Sequence, residues 1–208
     1  SSTSNNVVIG GSAGQQRTAG ADNVIIGAAA SFSAGTGDSN TVVGNSSGGG
    51  LTSGYTNTLI GKDAGDNITT GNNNTCIGFQ ADPPSNSSTN TVVLGNSSVT
   101  AFRCQVDNTV VSDKRDKTNF ENVPYGLDFV DKLKPTSFEF KKEGNRNAKE
   151  GDGIKRYGFL AQEILELEGE NPVIINNEIP EKLAYTQAHL VPVLVKAIQE
   201  LKAEVDLL

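Results

Sequence analysis

The stretch Asn57-Thr58-Leu59-Ile60-Gly61 recurs, with changes at single positions, every 17 residues through the first half of the chain. Its glycine is present in all six copies, as Gly10, Gly27, Gly44, Gly61, Gly78 and Gly95. Four positions before the glycine stand Asn6, Asn23, Asn40, Asn57 and Asn74, with Asn90 one step out of place in the sixth copy. Six copies of a short unit without insertions predict a solenoid, in which each copy forms one turn stacked on the last.

A copy of 17 residues has room for two short strands and two tight turns, so we expect a β-roll over residues 1–98. Two neighbouring strand positions are apolar. The first position is the row Val8, Ile25, Val42, Leu59, Cys76 and Val93, and the second is the row Ile9, Ile26, Val43, Ile60, Ile77 and Leu94. Neighbouring strand residues point to opposite faces, so one row fills the interior and the other lies bare. A bare apolar stripe marks an interface, and we predict a trimer with one of the two rows on its threefold axis.

The asparagine row has a structural interpretation, because asparagine tolerates turn conformations and its amides form ladders along a stack. A sugar-binding or calcium-binding role is the alternative. The partial threonine row Thr41, Thr58 and Thr75 is typical of an ice-binding face, but Val7, Val24 and Val92 interrupt it.

Charge is distributed unevenly along the chain. Residues 1–111 hold three Lys/Arg, six Asp/Glu and 17 of the 23 glycines, whereas residues 112–208 hold fourteen Lys/Arg and eighteen Asp/Glu. This shift predicts a domain boundary at residue 112. The repeats define a domain over 1–98, loosely alternating apolar residues predict a β-rich neck over 99–111, and a small α+β domain is expected over 112–208. The net charge of −7 and the lack of a basic patch argue against nucleic acid as a partner.

No apolar run approaches membrane-spanning length and no signal peptide opens the chain, so membrane insertion is not expected. Because the chain begins at Ser1, we expect a piece cut from a longer protein. Cys76 and Cys104 are too few for a disulfide framework, and Cys76 is expected to be a buried free thiol. His189 is the only histidine, so neither a metal site nor a cofactor is predicted.

A second informative stretch is Ser112-Asp113-Lys114-Arg115-Asp116-Lys117-Thr118-Asn119-Phe120. It places the hydroxyl of Ser112 five residues before the amine of Lys117. A serine needs a base to become a nucleophile, and a partly desolvated lysine can serve as that base. By itself, however, this spacing is more typical of a solvated loop or a helix start.

The stretch resembles the opening motif, Ser-Asp-x-Arg-Leu-Lys-x-Asn-Ile, of the intramolecular chaperone domains that end phage tail fibres, tailspikes and endosialidases. The matching residues are Ser112, Asp113, Arg115, Lys117 and Asn119. Phe120 replaces the last apolar residue, and Asp116 departs from the usual Leu. The segment Gly158–Glu163 looks like the second signature of this family, and Tyr185–Leu208 looks like its closing helix.

The resemblance implies that the chain cuts itself once, between Val111 and Ser112, as a serine peptidase with a dyad of Ser112 and Lys117. Asp113, Arg115 and Asn119 would support the motif. The repeat pattern is in turn similar to the heads of trimeric autotransporter adhesins, which are trimers of left-handed rolls.

The remaining pattern predicts the elements of the C-terminal domain. We expect a helix within 126–133, a strand at 137–140, a polar hairpin tip or loop over 141–155, a helix up to Leu167 and a small hairpin between 172 and 185. The closing helix carries Val191, Leu194, Ile198, Leu201, Val205 and Leu208, a heptad seam about three heptads long. The β-branched residues of this seam favour a dimer by the simple rule, while the roll and the family favour a trimer.

Two functions fit these features. One is a trimeric fibre or adhesin tip on a phage virion, whose chaperone domain assembles three chains and then releases itself. The other is a bacterial surface adhesin with a permanent, uncleaved trimerisation cap. In both cases the partners are two further copies of the chain and a host-surface receptor, either glycan or protein.

Overall fold

The computed structural model describes residues 5–33, 35–105, 110–141, 146–178 and 180–208 of the chain. The chain divides into two units, residues 1–102 and 103–208. This division falls inside the segment for which the sequence predicts a neck. Each unit is described by itself below.

The first unit is a β-solenoid built on one parallel sheet of six strands in chain order. The strands are β1 (Val7–Ile9), β2 (Val24–Ile26), β3 (Thr41–Val43), β4 (Thr58–Ile60), β5 (Thr75–Ile77) and β6 (Val92–Leu94). Every pairing joins residues 17 apart, as Leu59 with Cys76. The 17-residue period of the sequence therefore equals the offset between paired residues in the sheet. The predicted solenoid is confirmed.

The prediction of two strands per copy is wrong for the described residues, which contain one three-residue strand in each copy. The return half of each copy consists of turns and bends instead. It is joined to the next copy by scattered backbone bonds, such as Thr36 N to Thr52 O at 2.7 Å and Thr52 N to Thr69 O at 3.0 Å. Glycine, serine and threonine supply turns here, but they do not sustain the consecutive pairs that define a strand.

The glycine that ends each strand is required by the distance between stacked copies. Gly44 has a φ of +140°, and a Cβ at this position would lie 2.3 Å from the carbonyl oxygen of Gly61. Any side chain would therefore push neighbouring copies apart.

The two apolar rows have different environments, which resolves the alternative left open by the sequence. The side chains of Ile25, Val42, Leu59 and Cys76 are buried in the core, together with Leu51 and Ile68 from the return half. The neighbouring row lies on the outer face, where Ile60 is 37% exposed and Ile77 41% exposed, whereas Leu59 is fully buried. The outer face is therefore the bare apolar stripe.

The asparagines form the predicted structural ladder inside the solenoid. Asn23, Asn40, Asn57 and Asn74 are buried, and each amide oxygen accepts hydrogen bonds from the next copy. The interpretation of Asn90 as a displaced member of this row is wrong. Thr91 takes that position, because its backbone nitrogen donates to Asn74 Oδ1 at 3.1 Å.

Asn90 belongs to a row of residues with positive φ that precedes the ladder. This row comprises Asn5, Asp22, Ser39, Thr56, Asn73 and Asn90. Asn73 Nδ2 donates to Asn90 Oδ1 at 2.8 Å along the row. Asparagine, aspartate and serine suit such a position, because short polar side chains tolerate the left-handed region.

The described parts of the neck differ from the prediction of a β-rich segment. Residues 99–105 and 110–111 contain no strand, while residues 106–109 lie outside the described residues. Val99 and Phe102 are exposed. Among the described residues, no neighbouring strand offers the neck a partner for pairing.

The second unit is the predicted small α+β domain. Its helices are α1 (Leu127–Lys132), α2 (Ala161–Glu168) and α3 (Gln187–Val205). Strand β7 (Thr136–Phe138) pairs with β8 (Arg156–Gly158), and β9 (Ile175–Asn176) pairs with β10 (Ala184–Tyr185), both antiparallel. Short 3-10 helices cover Lys114–Asp116 and Pro180–Lys182. The expected loop over 141–155 is closed by a bridge between Lys141 and Gly151, and residues 142–145 lie outside the described residues.

The core of this unit joins all three helices to strand β9. It contains Phe129, Ile164, Ile174, Ile175, Leu190 and Val193. No helix among the described residues is long and apolar enough to cross a bilayer. Cys76 is buried and Cys104 exposed, and both are free thiols.

Candidate functional site

A tight turn brings the two predicted dyad residues together. The short 3-10 helix Lys114–Asp116 reverses the chain between Ser112 and Lys117. Its backbone bonds are Asp116 N to Asp113 O at 3.1 Å and Lys117 N to Lys114 O at 3.3 Å. As a result, Lys117 Nζ donates a hydrogen bond to Ser112 Oγ at 2.5 Å.

The dyad is open to solvent in the single chain. Ser112 and Lys117 are exposed, and Val111, on the amino side of the predicted scissile bond, is 80% exposed. A lysine free in water has a pKa of about 10.4 and stays protonated at neutral pH. Burial or neighbouring positive charge is needed before such an amine acts as a base. The geometry for proton transfer is therefore present, while a dry environment is not.

Asp113 holds the turn through both the backbone and the side chain of Arg115. Its Oδ1 accepts a hydrogen bond from Arg115 N at 2.9 Å, which caps the 3-10 helix. The guanidinium of Arg115 donates from Nε to both carboxylate oxygens at 3.1 Å and from Nη2 to Oδ2 at 2.6 Å. These hydrogen bonds lower the pKa of Asp113 and raise that of Arg115.

The other charged residues of the motif point to different partners. The ammonium of Lys114 lies 5.6 Å from the centre of the Phe120 ring. Of the two basic residues that precede Lys117 in the turn, Arg115 is paired with Asp113 and its charge is neutralised there. Asp116, the departure from the family motif, is exposed.

Asn119 ends the motif in a left-handed conformation, with a φ of 54°. Asparagine is among the few residues other than glycine that adopt this conformation readily. The motif therefore has a backbone reason for asparagine at this position.

Glu168 is a structural residue that sequence reasoning missed. Its buried carboxylate accepts hydrogen bonds from Val173 N and Ile174 N at 2.8 Å and from Ile175 N at 3.0 Å. It lies at the C-terminal end of α2, where the helix dipole disfavours negative charge. An acidic residue in that place is a sequence signal for a role outside its own helix.

Helix α3 has two apolar faces. Leu190, Val193 and Ala197 are buried within the second unit. The predicted seam lies one residue further along and is exposed at Val191, Leu194, Ile198, Leu201 and Val205. The last residues of the chain, 201–208, are all exposed. The seam therefore remains available for another helix.

Two polar residues fasten the docked face of α3. Lys196 Nζ donates to Val123 O at 2.8 Å, and Glu200 Oε2 accepts from Leu127 N at 2.6 Å. The second bond supplies the cap that α1 lacks, since its N-cap residue is Gly126. Neither contact follows from the heptad spacing of the sequence.

Within the part of the chain that the structure describes, no metal site competes with the dyad as a candidate. Among the described residues, no group of three or more His, Cys, Asp or Glu side chains is arranged to hold a metal ion.

Residues 112–172 match the protein family described as chaperone of endosialidase. The match begins at Ser112, includes Lys117 and ends after α2, so it covers fewer than a third of the 208 residues. No curated protein and no solved structure matches the chain. The family match confirms the resemblance of residues 112–172 to the intramolecular chaperone domains of phage tail proteins.

Proposed function

We propose that this chain is the C-terminal part of a homotrimeric, phage tail-fibre-like protein whose chaperone domain assembles three chains and then cuts itself free between Val111 and Ser112. The observation that carries the proposal is the hydrogen bond of 2.5 Å from Lys117 Nζ to Ser112 Oγ. This contact stands at the first residue of the family match, directly after the proposed scissile bond.

The proposed chemistry begins with attack of Ser112 Oγ on the carbonyl carbon of Val111. Lys117, in its neutral form, takes the hydroxyl proton and then returns a proton to the departing backbone nitrogen of Ser112. The C–N bond breaks, and an ester joins the Val111 carbonyl to Ser112 Oγ. Water then hydrolyses this ester, leaving a carboxylate on Val111 and the hydroxyl and free amine on Ser112.

Assembly is the proposed trigger for this reaction. In the single chain the dyad is exposed, and so are the apolar side chains of Val110, Val111 and Phe120 beside it. Packing of these side chains in a trimer would remove water from the dyad and favour the neutral amine of Lys117. It would also hold the Val111 carbonyl close to the hydroxyl.

Two exposed apolar surfaces support a trimer as the assembled form. The first is the outer stripe of the solenoid, the row that contains Ile60 and Ile77. The second is the seam of α3. Burial of bare apolar surface is the usual driving force of association, and the repeat's likeness to trimeric adhesin heads favours three chains.

Removal of the chaperone has a kinetic consequence in this proposal. Chains of a solenoid trimer must start in register, because a slip exposes the stripe. A globular trimeriser at the C-terminus sets that register. Once it has been released, unfolded chains lack the domain that aligned them, so unfolding becomes effectively irreversible.

The direct test is mass spectrometry of freshly made full-length protein together with Ser112→Ala and Lys117→Ala. Wild type is expected to yield a C-terminal fragment that begins at Ser112, while both variants stay whole. Hydroxylamine added during the reaction is expected to trap the ester as a hydroxamate on Val111. A wild-type chain that stays whole after trimer formation would exclude self-cleavage.

The second candidate function is a surface adhesin that keeps its chaperone domain as a permanent cap. The specific observation that favours it is Asp116, an exposed carboxylate in the turn between Ser112 and Lys117. Negative charge there stabilises the protonated amine and opposes its action as a base. Asp116→Leu separates the two functions: it should speed a slow cut, or leave a permanent cap whole.

A further inference from the structure

The turn that carries the dyad has little support apart from one ion pair. None of the residues of the 3-10 helix Lys114–Asp116 is buried. Short 3-10 helices have poor hydrogen-bond geometry and limited stability of their own. The most extensive side-chain contact in the turn is the fork between Asp113 and Arg115, with three hydrogen bonds between side chains and one to the backbone.

The fork also determines which cation the carboxylate of Asp113 binds. Asp113 adjoins Ser112, and the amine of Lys117 lies on the Ser112 hydroxyl. A carboxylate at this position without a partner would attract the nearest ammonium. An ion pair with Lys117 would keep the amine protonated and draw it off the hydroxyl. Arg115 prevents this by occupying both carboxylate oxygens.

We propose that Asp113 and Arg115 are positioning residues, and that Arg115 binds the Asp113 carboxylate so that the Lys117 amine remains on Ser112 and free of a carboxylate partner. The proposal rests on the proposed self-cleavage and adds to it a control over the charge of the base. The remaining charged groups of the turn are Lys114, which lies over Phe120, and the exposed Asp116. In the single chain the turn is open to water, so solvent and salt screen it from more distant charges.

Two single variants should shift the pH dependence of cleavage in opposite directions. Arg115→Gln frees the Asp113 carboxylate to pair with Lys117, so the cleavage rate should begin to rise only at a higher pH than in wild type. Asp113→Asn removes the carboxylate and leaves Arg115 as an unpaired cation, so the rise should move to lower pH. Each shift should be at least about half a pH unit, the size of an interaction between solvated unit charges a few ångströms apart, because packing in the proposed trimer would strengthen that interaction.

The double variant Asp113→Asn with Arg115→Gln is the matched control. It removes both charges, so its midpoint should return to that of wild type. Its maximal rate should remain several-fold lower, because the cap of the turn is weakened and Lys117 is held less well. Arg115→Lys keeps a cation for Asp113 but cannot form the forked pair of hydrogen bonds. Compared with Arg115→Gln, it should return the pH midpoint of cleavage towards that of wild type but should recover less of the maximal rate.

The experiment refolds the denatured full-length chain into buffers from about pH 6 to about pH 10 and follows the fragment that begins at Ser112 by mass spectrometry. Size-exclusion chromatography of each variant in a Ser112→Ala background checks that assembly is unchanged. Opposite shifts that cancel in the double variant support the proposal. Equal loss of rate at an unchanged midpoint would overturn it, leaving a structural role only. A wild-type chain that never cuts would instead refute the proposed function.

Discussion

The side-chain oxygen of Asn40 accepts two hydrogen bonds from Asn57, one from the backbone nitrogen at 3.0 Å and one from Nδ2 at 3.1 Å. Asn57 Nδ2 also donates to Gly71 O at 2.9 Å. The same arrangement joins Asn23 to Asn40 and Asn57 to Asn74. One buried amide therefore links the start of its strand, the previous copy and the return half of its own copy.

Asn57→Asp is expected to destabilise the solenoid strongly. The carboxylate keeps the acceptor for the next copy but loses both Nδ2 donations, and it places a charge among buried oxygens. The free energy of unfolding should fall by at least about 3 kcal/mol, or the chain should not fold. Urea unfolding followed by circular dichroism measures the change.

Asn45→Asp is the matched control for this prediction. Asn45 is exposed, and its Nδ2 donates to Ala28 O at 3.1 Å. Loss of this hydrogen bond should lower the free energy of unfolding by less than about 1 kcal/mol. Equal effects of the two substitutions would contradict the structural role of the buried ladder.

Leu59→Asp and Ile60→Asp should fail in different ways although the residues are neighbours. Leu59 is fully buried in the core, so a charge there should prevent folding of the chain itself. Ile60 is 37% exposed on the outer stripe, so a charge there should leave the solenoid folded but block assembly. Ile77→Asp should behave like Ile60→Asp.

Circular dichroism and light scattering together measure this difference. The expected result for Ile60→Asp is a folded chain with the mass of a monomer. A soluble, heat-stable trimer from Ile60→Asp or Ile77→Asp would count against the stripe as the trimer contact. A wild-type monomer at micromolar concentration would exclude the trimer altogether.

The solenoid should be less stable at neutral pH than at pH 5 because of Asp82. Burial and the nearby carboxylate of Asp66 raise the pKa of Asp82 to about 6. A group whose folded pKa is raised contributes stability fully below its unfolded pKa, near 3.8, and loses it as pH rises through about 6. Because Asp82 is partly solvated, the free energy of unfolding should fall by only about 1 kcal/mol over this pH range.

Asp82→Asn tests this assignment, since its amide stays neutral at every pH. The variant should be more stable than wild type above about pH 6 and should lose most of the slope between about pH 4 and about pH 7. Thermal unfolding across this range measures it. An unchanged slope would mean that another group titrates there.

Glu168→Gln should destabilise the second unit, while the contact between Ser112 and Lys117 stays unchanged. The amide retains one acceptor oxygen, but its NH₂ group faces a backbone donor, so at least one of the N–H groups of Val173, Ile174 and Ile175 loses its partner. The free energy of unfolding should fall by about 2 kcal/mol. Glu163→Gln is the control, because Glu163 makes only a long surface contact with Lys134 at 3.7 Å. Equal melting temperatures of the two variants would contradict the prediction.

The sequence predicted the solenoid well because one physical rule links the repeat to the register. A strict period places Leu59 beside Cys76 without any knowledge of side-chain contacts. It could not decide between Leu59 and its neighbour Ile60, since both are apolar and the choice depends on the direction in which the chain curls. The burial of one row and the exposure of the other needed the structure.

The site was predictable to a different degree. The motif brought Ser112 and Lys117 to attention, but the hydrogen bond between them depends on the turn at Lys114–Asp116, which has no strong pattern of its own. Contacts between residues far apart in the sequence could not be predicted from it. Glu200 capping α1 and Asp66 beside Asp82 each depend on how separate segments pack, and no local spacing encodes that.

Because the register is a constant 17 residues, the number of copies determines the length of the solenoid. Each copy adds one strand spacing, about 4.8 Å, to the length of the rod. Because each copy offers its successor the same contacts that it received, duplication of a 17-residue segment in the gene would lengthen the rod without a new core. Solenoid length would then change in whole steps, and in the proposed trimer the three chains, as products of one gene, would always change by the same amount.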